Sequence, residues 1–343
     1  MDERKEKVLQ AIIEDYVATA EPVGSRTLAR KYRLGVSPAT LRNEMADLEE
    51  LGYLQHPHTS AGRVPADKGY RYYVDSLMES RQVTSEEETR IAAVFSRRLT
   101  EIDQVLRETT RLLSETTRYS SLVVGPKVGH TSLKGVRLVP LEEGKALLIV
   151  VTDAGFVEDQ VIDVPVEVTL MELQRISGLL NETLRGQSIH TLSHDALTAL
   201  HHELDRYRSL LAQTLEFLST QTDEGEGNRV YIGGASKILA QPEFRDVEKV
   251  KRLMDLLEEE QVVHDILDVT IGEGEPRVAI TIGEEIHYRE MTDCSLVTAT
   301  YRVGGQTVGR IGVLGPRRME YAKVVSLVDN VTRRLSEKLS RGS

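Results

Sequence analysis

The stretch GSRTLARKYRLGVSPATLRNEMADLEELGYLQ, residues 24–55, contains the start and stop signals that decide the fold. Ser25 is placed to cap a short helix over residues 26–32, with Leu28, Ala29 and Tyr32 inward. Gly35 is free to take the left-handed turn that follows. Ser37-Pro38 then reads as a helix start, with serine at the N-cap and proline at the first helical position, where a missing N–H does no harm. This third helix runs to about Leu51 and stops at Gly52. Leu41, Met45 and Leu48 recur at helical spacing and are assigned to the inner face. Ala39, Asn43 and Ala46 then point outward, flanked by Thr40 and Arg42.

Upstream, residues 4–20 carry Val8, Leu9, Ile12, Ile13, Tyr16 and Val17 on one helical stripe, ended by Glu21-Pro22. Downstream, Tyr53–His56 reads as a short strand, HPHTSAGR as a polar loop, and Val64 as the start of a return strand. Pro65-Ala66-Asp67 opens a fourth helix with Tyr70, Tyr73, Val74 and Leu77 on one face. Helix, helix, turn, helix, strand, loop, strand, helix is the pattern of a winged helix-turn-helix. Such a third helix buries one face on the first two helices and offers the other to a major groove. Small residues allow close approach, asparagine pairs with adenine edges, and arginine pairs with guanine or phosphate. The first-turn amides near Ser37 and Thr40 suit a phosphate. Arg26, Arg30 and Lys31 suit the DNA backbone, and Arg63 at the loop tip suits a minor groove. The expected DNA-facing set is Ser25, Arg26, Arg30, Lys31, Ser37, Ala39, Thr40, Arg42, Asn43, His58, Ser60 and Arg63. The same motif serves protein contact alone in other settings.

The whole chain has 343 residues and a net charge of −11. Its length suggests two or three domains at roughly 100–200 residues each. Residues 1–75 hold 11 basic and 12 acidic side chains, so nearly all the excess negative charge lies beyond them. Residues 22–43 contain Arg26, Arg30, Lys31, Arg33 and Arg42 and no acid. Screening over about 8–10 Å lets such a patch attract phosphate on an acidic protein. Charge alone does not separate that reading from an ordinary solvated helix face. The single cysteine, Cys294, excludes an intramolecular disulfide and any multi-cysteine metal site. The longest apolar run, ALLIVV at 146–151, is far short of the roughly 20 residues of a membrane-spanning helix. MDERKEKV lacks a signal-peptide core, so a soluble cytoplasmic protein with no membrane partner is expected.

Residues 79–90 read as a polar hinge containing a capping box, Ser85 with Glu88. Phe95, Leu99, Ile102, Leu106, Thr109 and Leu113 then mark one long helix with a heptad seam. Strands are expected at Val136–Leu141, Ala146–Thr152 and Phe156–Asp163, followed by helices near 168–184 and 195–220. After the acidic linker TDEGEGN come a strand at Val230–Ile232, a helix at 246–260 and strands at Val269–Ile271, Val278–Ile282, Ser295–Arg302 and Gln306–Leu314. The last helix, 317–341, has Tyr321, Val325, Val328, Val331, Leu335 and Leu339 inward. Ser121–Val124 and the strand before Pro316 both end in Gly-Pro and are expected in one sheet, with 95–113 and 317–341 packed together against it. The segment from about 128 to 225 is then an insertion.

Several blocks are specific. RNEMADLEELGYLQHPHTSAGRVPADKGYRYYVDSLM, VRLVPLEEGKALLIVVTDAGFVEDQVIDVP, VYIGGASKIL and DCSLVTATYRVGGQTVGRIGVLGPRRMEYAKVV together resemble the HrcA family of heat-inducible transcription repressors along essentially the whole chain. The resemblance implies an α+β protein: a winged-helix DNA-binding domain (1–80), a GAF-like α/β domain in two parts (81–127 and 226–343) and an inserted α/β dimerisation domain (128–225). It implies a dimer that represses chaperone operons from an inverted repeat, the CIRCE element, in double-stranded DNA. It implies dependence on the GroEL chaperonin, which heat diverts to other clients. Carried over by position, the resemblance implies Ser37, Thr40, Arg42 and Asn43 as the groove-facing candidates, with Arg63 in the wing.

Leu197, Leu200, Leu204, Tyr207, Leu211 and Leu218 form a second narrow seam, expected to bury against another subunit. His190, His194, His201 and His202 cluster in sequence, but no cysteine accompanies them and no metal site is assigned. GGQTVGRIG lacks dinucleotide-fingerprint spacing, and neither a nucleophile elbow nor a phosphate-binding loop is present. No enzyme and no cofactor is expected. Cys294 at a strand start is taken as a buried structural thiol, and Tyr70 and Tyr73 as core rather than base-stacking residues. The competing reading is a regulator that senses a small molecule through its GAF-like domain; an internal cavity lined with polar groups would favour it, and a filled, wholly apolar core would weaken it.

Overall fold

The computed structural model describes residues 1–57, 62–96, 102–125, 132–153, 157–187, 213–214, 216, 229–268, 277–303 and 306–341. Helix α1 (Glu3–Thr19) is capped by Asp2, whose carboxylate accepts the Lys5 N–H at 2.8 Å. Val8, Leu9, Ile12 and Ile13 form its buried stripe. Helix α2 (Ser25–Lys31) begins one residue earlier than its sequence suggests. Gly24 is the N-cap, its carbonyl accepting from Thr27 and Leu28 at 3.0 and 3.1 Å, so Ser25 is the first helical residue and not a cap. Gly35 takes the left-handed turn at φ 70°. Helix α3 (Pro38–Glu50) starts at Ser37 as expected, and Leu41, Met45 and Leu48 are buried against α1 and α2.

Strands β1 (Leu54–Gln55) and β2 (Val64–Pro65) pair antiparallel, Leu54 opposite Pro65 and Gln55 opposite Val64. Helix α4 (Asp67–Tyr72) runs on into a wider π-helical turn, Tyr73–Leu77. Gly69 of α4 lies so close to the Tyr53 carbonyl that a Cβ there would overlap it. Tyr70 is fully buried, while Tyr73, Val74 and Leu77 are half-buried.

The one long helix expected around 95–113 is instead two: α5 (Ser85–Phe95), which ends at Ser96, and α6 (Ile102–Thr117). The capping box belongs to Thr84 and Glu87, one residue before the expected pair. Glu88 is drawn away by Arg334 and by Asn330, the latter at 3.2 Å.

Strands β3 (Ser120–Val124), β4 (Leu133–Glu142), β5 (Lys145–Thr152) and β6 (Val157–Asp163) precede helix α7 (Leu170–Leu184). Then follow β7 (Val230–Gly233), α8 (Ala235–Leu239), α9 (Val247–Glu258), α10 (Glu260–Asp268), β8 (Val278–Ile282), β9 (Cys294–Val303), β10 (Gln306–Pro316) and α11 (Tyr321–Arg341). Five strands form an antiparallel sheet in the order β7-β3-β10-β9-β8, so the two Gly-Pro strands are neighbours. α6 and α11 cover one face, where Leu106, Leu113, Val328, Val331 and Leu335 meet Val123, Val297, Tyr301 and Val313. α11 buries Val324 and Leu327 in addition to the expected stripe, and Val325 is only half-buried. Leu253, Leu257, Val263 and Ile266 of α9 and α10 cover the other face through Leu122, Val124, Leu296 and Leu314. The expected strand Val269–Ile271 lies outside the described residues.

β4-β5-β6 form a separate antiparallel sheet, covered on one face by Leu173, Ile176, Leu180 and Leu184 of α7. Its other face exposes Val139, Val157 and Val161. The chain leaves the larger sheet at Gly125 and returns at Arg229, and these two residues are joined by an N–H···O bond of 2.9 Å. No helix among the described residues is long and apolar enough to cross a membrane.

The N-terminal module docks on the larger sheet through charge. Arg71 holds the Glu285 carboxylate and donates to the Ile280 carbonyl at 2.7 Å. Arg317 bridges Asp67 at 2.7 Å and Asp293 at 3.1 Å. Arg318 donates to the Val17 carbonyl at 3.3 Å while paired with Glu243. Tyr70 packs at 6.1 Å from the Tyr321 ring in the middle of this seam.

Candidate nucleic-acid interface

α3 is held from beneath by apolar burial and by one acid that its sequence pattern hides. Glu44 is buried on the inner face and meets Lys5 of α1 at 3.0 Å. Lys5 also reaches Asp47 at 3.1 Å, and hydrogen bonds to Glu44, Asp47 and Asp2 raise its pKa. This clamp fixes the roll of α3 about its axis, which decides the residues it presents. Ala39, Arg42 and Asn43 are exposed; Thr40 and Ala46 are half-buried.

The helix start is partly self-satisfied. The Ser37 hydroxyl accepts the Thr40 N–H at 3.1 Å and lies 3.0 Å from the Thr40 hydroxyl. Pro38 has no N–H, and the Leu41 N–H bonds the Ser37 carbonyl at 2.9 Å. Among the described residues the amides of Ser37 and Ala39 stay open at this helix start, while that of Thr40 is capped and Pro38 has none.

The basic residues divide into two groups. Arg26, Arg30 and Arg42 are exposed, and among the described residues their side chains have no hydrogen bond or ion pair. Arg33, outside the expected contact set, shares both properties and lies between α2 and α3. Lys31 is instead paired with Asp15 of α1, a carboxylate that is 5% exposed, and this hydrogen bond raises the lysine pKa. Arg63 is at the base of the hairpin and not at its tip. Its backbone exchanges hydrogen bonds with Val23 at 2.9 and 3.0 Å, and its Nε donates to Glu49 at 2.7 Å. Long-range pairing, invisible to local pattern, draws it inward. Ser25 is half-buried in the first turn of α2.

His58 and Ser60 lie outside the described residues. So do Leu197, Leu200, Leu204, Tyr207, Leu211 and Leu218 of the expected dimer seam, and His190, His194, His201 and His202. Cys294 is fully buried, and burial pushes its thiol up to about 12.

Fold and surface together define an α+β protein that presents a small helical head with unpaired arginines on an acidic body. A family model described as the HrcA protein C terminal domain matches residues 103–325. The heat-inducible transcription repressor HrcA of Symbiobacterium thermophilum is 56% identical over 338 residues, 98% of each chain. That of Pelotomaculum thermopropionicum is 46% identical over 341 residues, 99% of this chain and 97% of that one. The chain belongs to the HrcA family. A crystal structure described as that of a hypothetical protein shares the fold, with a TM-score of 0.69 at 24% identity over the full length of both chains.

Proposed function

We propose that this protein represses transcription of chaperone operons by binding an inverted-repeat operator, the CIRCE element, as a homodimer. Residues 1–80 act as the winged helix-turn-helix, with α3 in the major groove and the β1–β2 loop as the wing. One observation carries the reading: α3 turns Ala39, Arg42 and Asn43 to solvent beside Arg26, Arg30 and Arg33, on a chain whose net charge is −11. Unpaired arginines grouped around one outward helix face give an acidic protein a local site that attracts phosphate. Family membership supports the same function, since the relatives are named heat-inducible transcription repressors. In this reading Lys31 and Arg63 hold the module together first, and contact DNA only with their remaining donors.

The body divides into a GAF-like domain, residues 81–127 with 226–343, and an inserted dimerisation domain, residues 128–225. The Gly125–Arg229 bond supports this division, because an insertion leaves and re-enters its host at one place. The exposed Val139, Val157 and Val161 support an interface in that segment, alongside the 197–218 seam. GroEL supply then sets how much repressor is folded.

The test is fluorescence anisotropy on a palindromic promoter fragment, a single half-site and a scrambled sequence, over a salt series. Saturable binding that favours the palindrome is expected, and its absence even in dilute buffer overturns the proposal. Repeating the titration against temperature, with and without chaperonin, tests the GroEL dependence. Sedimentation of a chain lacking 128–225 tests the dimer element, and a dimer that persists refutes it. A second reading, a regulator that senses a small molecule through the same body, draws on an open cleft of about 480 Å³ beside β7, a surface feature of mixed polar and apolar lining and not an internal cavity.

A further inference from the structure

α6 turns Val105, Leu106, Thr109 and Leu113 to the core, which leaves Arg107 and Arg111 one helical turn apart on its open side. Beside them runs β7, an outer strand whose one neighbour among the described residues is β3. The Gly125 N–H donates to the Arg229 carbonyl, so the antiparallel alternation turns the backbone groups of Val230 and Ile232 away from β3 and toward the open edge. Glu260, at the first turn of α10, closes the far side. The open cleft between them is about 480 Å³, within the size range of small-molecule sites.

Its cations are not equivalent. Arg229 is committed, 2.9 Å from Asp103 and 3.3 Å from Glu158. The Tyr231 hydroxyl donates to Asp103 at 2.6 Å, and burial together with that bond raises its pKa, so it stays protonated. These pairs make one wall rigid. Arg111 is held by Glu115 at 2.8 Å in an exposed pair one turn along, an interaction weak enough to exchange for a better anion. Arg107 lies 5.4 Å over the Tyr231 ring and has no carboxylate partner among the described residues. A guanidinium resting on a ring face and without a carboxylate partner has its donors available to an oxyanion.

We propose that this cleft binds a small multivalent oxyanion, a phosphate ester or a polycarboxylate, through Arg107 and Arg111, with the open N–H groups of β7 as neutral donors. Glu260 on the opposite wall repels a second anionic end, so the charged group sits against α6. The inference rests on the second reading for any effect on repression, but binding itself is measured without DNA.

The chain contains no tryptophan, so Ile232→Trp, at a position 40% exposed in the cleft lining, installs a single fluorophore there. It is titrated with pyrophosphate, citrate and chloride at matched ionic strength. A saturable change with pyrophosphate or citrate at millimolar concentration is expected. Arg107→Ala should raise the half-saturating concentration on the order of tenfold, and Arg107→Lys by less, because lysine keeps the charge but loses the fork. A preference for pyrophosphate assigns a phosphate ligand, and a preference for citrate a carboxylate one. Flat titrations, an equal response to chloride, or a response unchanged by Arg107→Ala overturn the proposal. So does a response abolished by Arg42→Ala, which assigns the anion to α3. Circular dichroism of each variant confirms folding, and a failed operator experiment leaves this titration interpretable.

Discussion

Replacing Arg42 by alanine separates reading from folding. The side chain is exposed on α3 and has no partner among the described residues, so its truncation removes no internal contact. Stability should stay within about 0.5 kcal/mol of the parent protein. At DNA the expectation differs. A bidentate base contact is worth about 1–3 kcal/mol, and a dimer on an inverted repeat makes it twice, so affinity should fall by about 2–6 kcal/mol. If Arg42 reads a base, the loss is concentrated on the palindrome, and single-base variants at one position become equivalent. If it only meets phosphate, affinity falls evenly across sequences and the salt slope drops by about one per protomer. Anisotropy titrations over a salt series, paired with a thermal melt, distinguish these outcomes. Unchanged affinity for every sequence removes Arg42 from the interface. A matching loss of melting temperature refutes the claim that the residue is free of structural work.

Lys31→Ala should behave in the opposite way, lowering the melting temperature because Asp15 loses its partner while buried; an unchanged melt refutes the pairing. Gly69→Ala should destabilise the protein by about 1–3 kcal/mol in denaturant titration, since the new methyl group overlaps the Tyr53 carbonyl; an unmoved midpoint counts against that packing. Cys294 should resist thiol reagents at neutral pH and react only on unfolding, because the folded thiol holds its proton up to about 12 against an ordinary value of 9.0. The same shift makes stability complete below about pH 9 and progressively lost as pH rises toward 12, so alkaline unfolding should be less steep in Cys294→Ala than in the parent; equal slopes refute the burial argument.

Much of the N-terminal module is legible in sequence because its punctuation is local. Ser37-Pro38, Gly35 and Gly52 each act through their own backbone, and each stands where expected. The errors fall where a distant residue decides. In TSEEE both Thr84 and Ser85 have glutamate three residues on; the choice of Thr84 follows from Arg334 taking Glu88 across 246 residues. Arg63 was legible as a cation but not as the partner of Glu49 and Val23. The heptad seam at 95–113 runs across the end of α5 at Ser96, because apolar spacing registers the buried face and not the cap. Of the interface, the outward residues of α3 follow from helical period. The Glu44–Lys5 clamp does not, since a buried acid on an otherwise apolar face breaks the rule that reads the face.

Strand β3 is made early and finished late. Its Val124 carbonyl accepts the Tyr301 hydroxyl across 177 residues of chain, and its flank against β10 stays open until Gln306–Pro316 has been synthesised. At ordinary ribosome rates that delay is about 10–35 s, during which Leu122, Val123 and Val124 stand as an unfinished apolar edge. The nascent chain is therefore vulnerable for longer than the finished one. A chain cut short before Gln306 would carry that flank uncovered permanently, a bare strand able to template pairing with another molecule.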